Sequence, residues 1–366
     1  MIFKRGGTRE HPPLRLTAFG GSLSVAQDSA QGAFLCGSNK YWVASSGAKV
    51  QPHDIFKGHA RCDTRMIDEP TLSQWLNQAR SLVDERKLLH ALQLYYRITA
   101  AAPMLDIAWV ELAYVQFELK QYAAAEKTLL KAVSASNEPQ EILFLVGNLY
   151  LKLSDYAKAL TYYKKLLGHP QTLNKDLRAH LNFNAALAYY YRDNIRLAEI
   201  HFRAARRIDP RFPKINESLG ELLLRRGAFA EATDCLKEAI ANEQYSWIAH
   251  YMLGTAYAKM YDWRKAHEEF VIAIEMDPTE PRAWHMCGEA LLSLHRLDEA
   301  ERYLRKALEL NPQLTDAVVD FGFLFLRRGD YQRARELFEQ ALQLEPHHSR
   351  ALQGTRELKQ PQHSQT

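Results

Sequence analysis

The chain has 366 residues, of which 47% are hydrophobic and 25% charged, and its net charge is +4. That is the composition of a folded soluble protein, and no run approaches the ~20 apolar residues that a membrane-spanning helix needs. Four cysteines (Cys36, Cys62, Cys235, Cys287) form no CxxC pair, which argues against a disulfide framework or a zinc ribbon; Cys287 reads as a small core residue.

Residues 1–65 hold nine basic and four acidic residues, leaving 38 basic against 39 acidic in 66–366. A nearly neutral body lacks the positive surface that binding to phosphate backbones requires, so nucleic acid is excluded as the expected partner. The same 65 residues carry eight of the 17 glycines. They show no helical apolar period. Two readings stand: a Gly-rich, basic, disordered N-terminal segment, or a chain whose true start is Met66. The opening "MIFKRGGTREHPPLRL" has basic residues without a following apolar core and does not read as a secretory signal, so the expected compartment is the cytoplasm.

From Leu72 the sequence repeats. Units begin at 72, 106, 140, 179, 213, 247, 281 and 315, and six of the seven steps are 34 residues. The step from 140 to 179 is five longer, through Asn174–Arg178, which either lengthens a helix or bends the array. Counting places within a unit, place 8 is always Ala or Gly, from Ala79 to Gly322, and place 20 is always Ala, from Ala91 to Ala334. Place 24 is always large, from Tyr95 to Phe338. Small residues at 8 and 20 let two helices of one unit approach closely, and proline punctuates most unit ends, as at Pro103, Pro210, Pro278, Pro312 and Pro346. Each unit therefore predicts helix, short turn, helix, with turn anchors such as Tyr122, Tyr156, Phe229, Trp263 and Tyr331. Helices this short need stacked neighbours to bury their apolar sides.

This pattern resembles the tetratricopeptide repeat family, whose signature is W-x2-L-G-x2-Y, A-x3-F, P. Matching residues include Trp109, Leu112 and Ala113; Gly147 and Tyr150; Leu253, Gly254, Tyr257, Ala266, Phe270 and Pro278; and Trp284 with Gly288. Gln116 departs from it, standing where the family often has Tyr, and Gln244 replaces a final Pro. The resemblance spans about residues 72–348 and implies an all-α fold, a right-handed superhelical solenoid of tandem helix-turn-helix repeats with a C-terminal capping helix. The organisation expected is 1–65 as the N-terminal segment, 66–348 as eight repeats, and 349–366 as a capping helix with a disordered tail.

The resemblance further implies a scaffold without catalytic activity or cofactor that binds proteins. The first helix of each unit would face a concave groove through places 2, 5, 9, 12 and 13. Those places make Tyr114, Phe117, Phe144, Asn148, Phe183, Tyr190, Tyr191, Tyr251 and Phe323 the candidate groove residues. Aromatic and aliphatic residues gather on units two to four and mark a docking surface for a peptide or helix. The competing reading is that places 5 and 12 pack between helices as core. On the docking reading, Phe144→Ala with Phe183→Ala abolishes capture while leaving the melting curve nearly unchanged. A carboxylate clamp like that of chaperone-binding relatives is met only in part, by Asn148, Asn184 and Lys214, with Phe144 and Ser218 where cations belong. "HEEFV" at His267 lacks the second histidine of a zinc-protease helix, and His347 with His348 offers no metal spacing. The basic doublets Arg206–Arg207, Arg225–Arg226 and Arg327–Arg328 lie at helix ends, where cations suit the dipole. The alternative function is a regulatory or substrate-docking subunit of a separate enzyme, of an envelope-assembly or glycosylation type.

Overall fold

The computed structural model describes residues 68–136, 139–212, 214–242 and 246–359. The N-terminal segment 1–65, with its two readings, and the tail after Lys359 lie outside the described residues. Among the described residues, seventeen α-helices follow one another. Eight pairs correspond to the eight units: α1 (Glu69–Asp84) with α2 (Leu88–Ala101), α3 (Asp106–Glu118) with α4 (Tyr122–Ala135), α5 (Gln140–Lys152) with α6 (Tyr156–Leu167), and α7 (Lys175–Tyr191) with α8 (Ile195–Ile208). Then come α9 (Ile215–Arg226) with α10 (Phe229–Ala241), α11 (Trp247–Lys259) with α12 (Trp263–Met276), α13 (Pro281–Ser293) with α14 (Leu297–Leu310), and α15 (Thr315–Arg327) with α16 (Tyr331–Leu344), closed by α17 (Ser349–Lys359).

One backbone device makes all eight turns. Place 15 takes a left-handed conformation in every unit, at Arg86, Lys120, Ser154, Asp193, Gly227, Tyr261, His295 and Gly329. The amide that follows donates back to a carbonyl five residues earlier, as Gln121 to Gln116, Asp262 to Tyr257 and Arg296 to Leu291, each at 2.8–2.9 Å. This is the Schellman closure of a helix end. Only two of the eight residues are glycine, so six units hold a side chain in a conformation that costs about 1–2 kcal/mol. Four second helices then begin on an Asp or Asn cap, Asp155, Asn194, Asp262 and Asp330, whose side chain accepts from an amide three residues on.

Small and large residues interlock within each pair. A Cβ added to Gly254 would lie 2.7 Å from the Phe270 ring, one added to Gly322 2.7 Å from Phe338, and those at Gly220 and Gly288 2.7 Å from Leu236 and Leu304. The small residue at place 8 therefore makes room for the large one at place 24. The alanines at place 20 are fully buried beside them.

Each first helix packs against the second helix of its own unit and that of the unit before, and the first helices of units three and four, five and six, six and seven, and seven and eight also touch each other. Helices that touch every second neighbour lie on the inner arc of a curved stack, and the second helices splay on the outer one. The five-residue step lengthens a helix: after a single 3₁₀ turn at Pro170–Thr172, α7 starts about one turn early at Lys175, capped by Asn174, whose side chain accepts from the Leu177 amide at 2.7 Å. At the far end α17 covers α16 and α15, burying Ala351 and setting Gly354 against the Phe338 ring. Its other face is polar, which is what a terminal unit needs where it meets water.

Candidate partner-binding groove

The inner arc divides the nine candidate residues into two groups. Phe117, Phe144 and Phe183 are buried, with 4%, 2% and 2% of their surface exposed. Phe144 packs on Tyr163 with ring centres 6.0 Å apart, and Phe183 sits 5.5 Å from Phe202 and 5.0 Å from Phe212. Tyr163 and Phe202 are the place-24 residues of the same units, so these two place-5 rings turn into their own helix pairs rather than toward solvent. The expectation that Phe144 and Phe183 can be truncated without affecting stability is thereby corrected. Tyr190 is buried as well, while Tyr114, Tyr191, Tyr251 and Phe323 remain half-buried on the inner face. Tyr191 stacks on Tyr156 at 4.9 Å, Tyr251 leans on Phe270 at 5.8 Å, and Phe323 meets Phe338 edge-on at 5.1 Å.

Asn148 is occupied within the protein. Its Oδ1 accepts from the Tyr163 hydroxyl at 2.7 Å and from Asn184 Nδ2 at 2.8 Å. The two asparagines that partly matched a carboxylate clamp thus bind each other and a core tyrosine, which occupies one of the two amide N–H donors of Asn184.

The centre of the inner face is electrostatically unusual. Glu217 and Glu221 stand one turn apart on α9, 3% and 8% exposed. Burial, with repulsion from Glu217, pushes the Glu221 carboxyl up to about 7 even though the Tyr190 hydroxyl donates to its Oε1 at 2.9 Å. Burial raises Glu217 too. Arg225 lies 5.0 Å over the Tyr190 ring and pairs with Asp193 at 2.7 Å, and the buried Tyr191 hydroxyl oxygen has no hydrogen-bond partner among the described residues. Buried polar groups left partly unsatisfied are costly, and a bound segment that supplies their partners recovers that cost.

A second polar cluster closes the C-terminal end. Asp320, fully buried, bonds His285 Nε2 at 2.7 Å and Arg350 Nη2 of α17 at 2.5 Å. Burial opposes the charge on His285, but the facing carboxylate outweighs it and raises the imidazole. Burial likewise opposes ionisation of Asp320, and its two cationic partners overcome it and lower the carboxyl. This cluster ties the capping helix to units seven and eight.

The arginine doublets join units rather than wait for a partner. Arg226 pairs with Glu199 of the preceding unit at 2.6 Å, Arg206 with Glu238 of the next at 2.6 Å, and Arg328 with Asp298 at 2.6 Å. Cys287 is buried as expected, and so is Cys235.

Comparison with known families places this geometry. Tetratricopeptide-repeat profiles match residues 76–139, 140–168, 183–246, 251–315 and 320–348. The chain belongs to the tetratricopeptide repeat family. Among curated relatives, subunit 3 of the anaphase-promoting complex of Schizosaccharomyces pombe is 23% identical over 210 residues, covering 56% of this chain and 30% of that protein. The human protein O-mannosyl-transferase TMTC1 is 25% identical over 205 residues, 55% of this chain and 23% of its own. The BBSome complex member BBS4 of Bos taurus is 25% identical over 167 residues, 46% of this chain and 32% of its own. The chain thus spans about a third or less of these relatives. The Cut9–Hcn1 hetero-tetramer of the APC/C shares the fold with a TM-score of 0.52 at 17% identity, over 78% of this chain and 55% of that one. Pseudomonas aeruginosa pilF does so with 0.50 at 19%, over 60% and 97%. Against the tetratricopeptide pattern, the feature most easily overlooked in the sequence is the pair Glu217 and Glu221, since acids at places 5 and 9 read as a solvated face. Their one signal is that place 5 is aliphatic or aromatic in six of the other seven units.

Proposed function

We propose that this tetratricopeptide chain is a non-enzymatic scaffold that holds an extended or helical segment of a partner protein against its first-helix face, with the cytoplasm as its expected compartment. The observation that carries the reading is the central inner face, where half-buried Tyr191 and Tyr251 flank the buried Glu217 and Glu221. Rigid stacked helices present these groups without an ordering cost, and affinity would come from a few anchors. Two of the relatives are named as parts of multi-protein complexes, one as a subunit and one as a member, which supports an assembly role. The groove is assigned to Tyr114, Tyr191, Tyr251 and Phe323 as direct contacts, with Asn148, Tyr190, Phe117, Phe144 and Phe183 shaping it from beneath.

The resemblance to an O-mannosyl-transferase keeps one second reading, a docking subunit beside a separate enzyme. Affinity capture with the full chain and with a Tyr114→Ala, Tyr191→Ala variant tests the first. A partner retained by the wild type and lost by a variant that melts within a few degrees of it supports the groove. Equal capture by both sinks it, and co-capture of a glycosyltransferase in stoichiometric amount favours the second reading.

A further inference from the structure

Place 11 of each first helix forms the floor of the gap between the second helices of its own unit and the one before. In units three, four and six this floor is a buried tyrosine, Tyr150, Tyr189 or Tyr257. Tyr150 shows how the gap is filled. Its ring stacks on Tyr162 at 5.8 Å, Lys158 Nζ lies 4.9 Å over it, and its hydroxyl donates to Glu126 of the preceding unit. Units one, five, seven and eight place Leu82, Leu223, Leu291 and Phe325 there. Unit two alone has a polar residue, Gln116.

Where Gln116 replaces the ring, a pocket of about 390 Å³ opens to solvent between α2 and α4. It lies where the apolar core divides, one cluster ending on Leu112 and Val115 of α3 and the other starting on Val110 and Ala113. Tyr96 and Trp109 form two aromatic walls, Leu112 and Ala100 add apolar lining, and the exposed Lys127 and Lys131 stand at the rim. The Trp109 indole is fixed, its N–H donating to the Pro103 carbonyl at 2.8 Å with Lys131 Nζ 5.2 Å over the ring. Gln116 is 2% exposed; its Nε2 donates to the Tyr96 hydroxyl at 3.0 Å, and its Oε1 has no hydrogen-bond partner among the described residues.

We infer that this pocket is a second docking site, taking one aromatic side chain with an N–H or O–H donor, a tryptophan or tyrosine, from an acidic segment of a partner protein. Each part of the pocket selects one part of that ligand. The pocket volume, at the small end of the range for ligand sites, is enough to take in a bulky aromatic side chain. Tyr96 and Trp109 favour a ring in stacked or edge contact. The unpaired amide oxygen asks for a donor, and an amide turns easily about its terminal bond. The two rim lysines attract flanking carboxylates. The site shares with the proposed function only the premise of a protein partner, because it opens between second helices, away from the groove.

The test is a fluorescence-anisotropy titration of the full chain with a labelled acetyl-Glu-Glu-Trp-Glu-Glu-amide peptide. Saturable binding to the wild type is expected. Gln116→Tyr gives unit two the side chain that three other units carry at this place, so it should keep the fold while filling the pocket and weaken binding about tenfold or more. Lys127→Glu, on the exposed rim, should weaken it several-fold without touching the core. Groove variant Tyr191→Ala should bind like the wild type. No saturable binding to the wild type overturns the inference, as does equal binding of a peptide with alanine for tryptophan, which would mean charge alone. Unchanged binding by both Gln116→Tyr and Lys127→Glu also overturns it. Loss on Tyr191→Ala instead would assign the peptide to the groove and leave the proposed function standing without this pocket.

Discussion

Truncating Phe183 to alanine distinguishes a core ring from a docking ring. The side chain is 2% exposed and contacts Phe202 of its own unit and Phe212 at the start of the next. Removing it deletes a buried phenyl group and leaves a cavity between α7, α8 and the following loop, which costs about 3–5 kcal/mol for Phe→Ala in cores. That range already includes the loss of two aromatic pairs, each worth about 0.5–1.5 kcal/mol. In a linear array each unit contacts only its neighbours, so the loss should concentrate in units three to five rather than spread evenly. Urea denaturation followed by circular dichroism gives the total, and native-state hydrogen exchange gives the location. The expected result is an early unfolding step with α7 and α8 losing most protection. A change below about 1 kcal/mol, the range of ordinary surface substitutions, would refute the packing described here and return Phe183 to the groove surface.

Three further outcomes follow from the same structure. The folded pKa of Glu221 lies near 7, above its ordinary 4.5, so the folded state holds the proton more tightly between those values and stability falls as pH rises through that window. Glu221→Gln removes this loss, and its stability relative to wild type should grow by up to about 1.4 kcal/mol per pH unit between those values and then level off; a pH-independent difference contradicts it. His295 is exposed with φ +58° at a turn, so His295→Gly should raise the unfolding free energy slightly, by about 0.5–1 kcal/mol once the entropy of glycine is subtracted, with a small rise in melting temperature, and a destabilised variant would show that the turn is not strained. Ala266→Leu puts a branched side chain into a fully buried helix contact and should cost about 1–3 kcal/mol or more in chemical denaturation, whereas unchanged stability would mean that the repeat places are misassigned.

The repeat places were legible because their side chains answer to local geometry. The fixed alanine at place 20 and the small–large pairing of places 8 and 24 describe a helix contact that recurs unchanged, though the sequence suggested 8 against 20 and the structure adds the ring of 24 against 8. The left-handed residue at place 15 left no trace in composition, because Arg86, Lys120, Ser154, Asp193, Tyr261 and His295 all occupy it. There the hydrogen bonds of the closed helix end outweigh the preference of the residue. The direction of place 5 was also hidden. A first helix is packed by its own second helix, by the preceding one and by neighbouring first helices, so its apolar residues encircle it and periodicity no longer marks one face. Phe144 and Phe183 are therefore core although they hold groove places, while Tyr191 and Tyr251 stay within reach. Gln116 stood out in sequence as a departure from the family pattern, but only the splay of α2 and α4 shows that the departure leaves a pocket.

The most direct measurement on the central claim is site-specific photo-crosslinking in cells that express the full chain. A benzophenone side chain would replace Tyr191 on the inner face and, in a parallel protein, the exposed Ile200 on the second-helix side. A discrete protein adduct from position 191 that is lacking from position 200 is the result this account predicts. Adducts from 200 but none from 191 would contradict it, placing partner contact on the outer face.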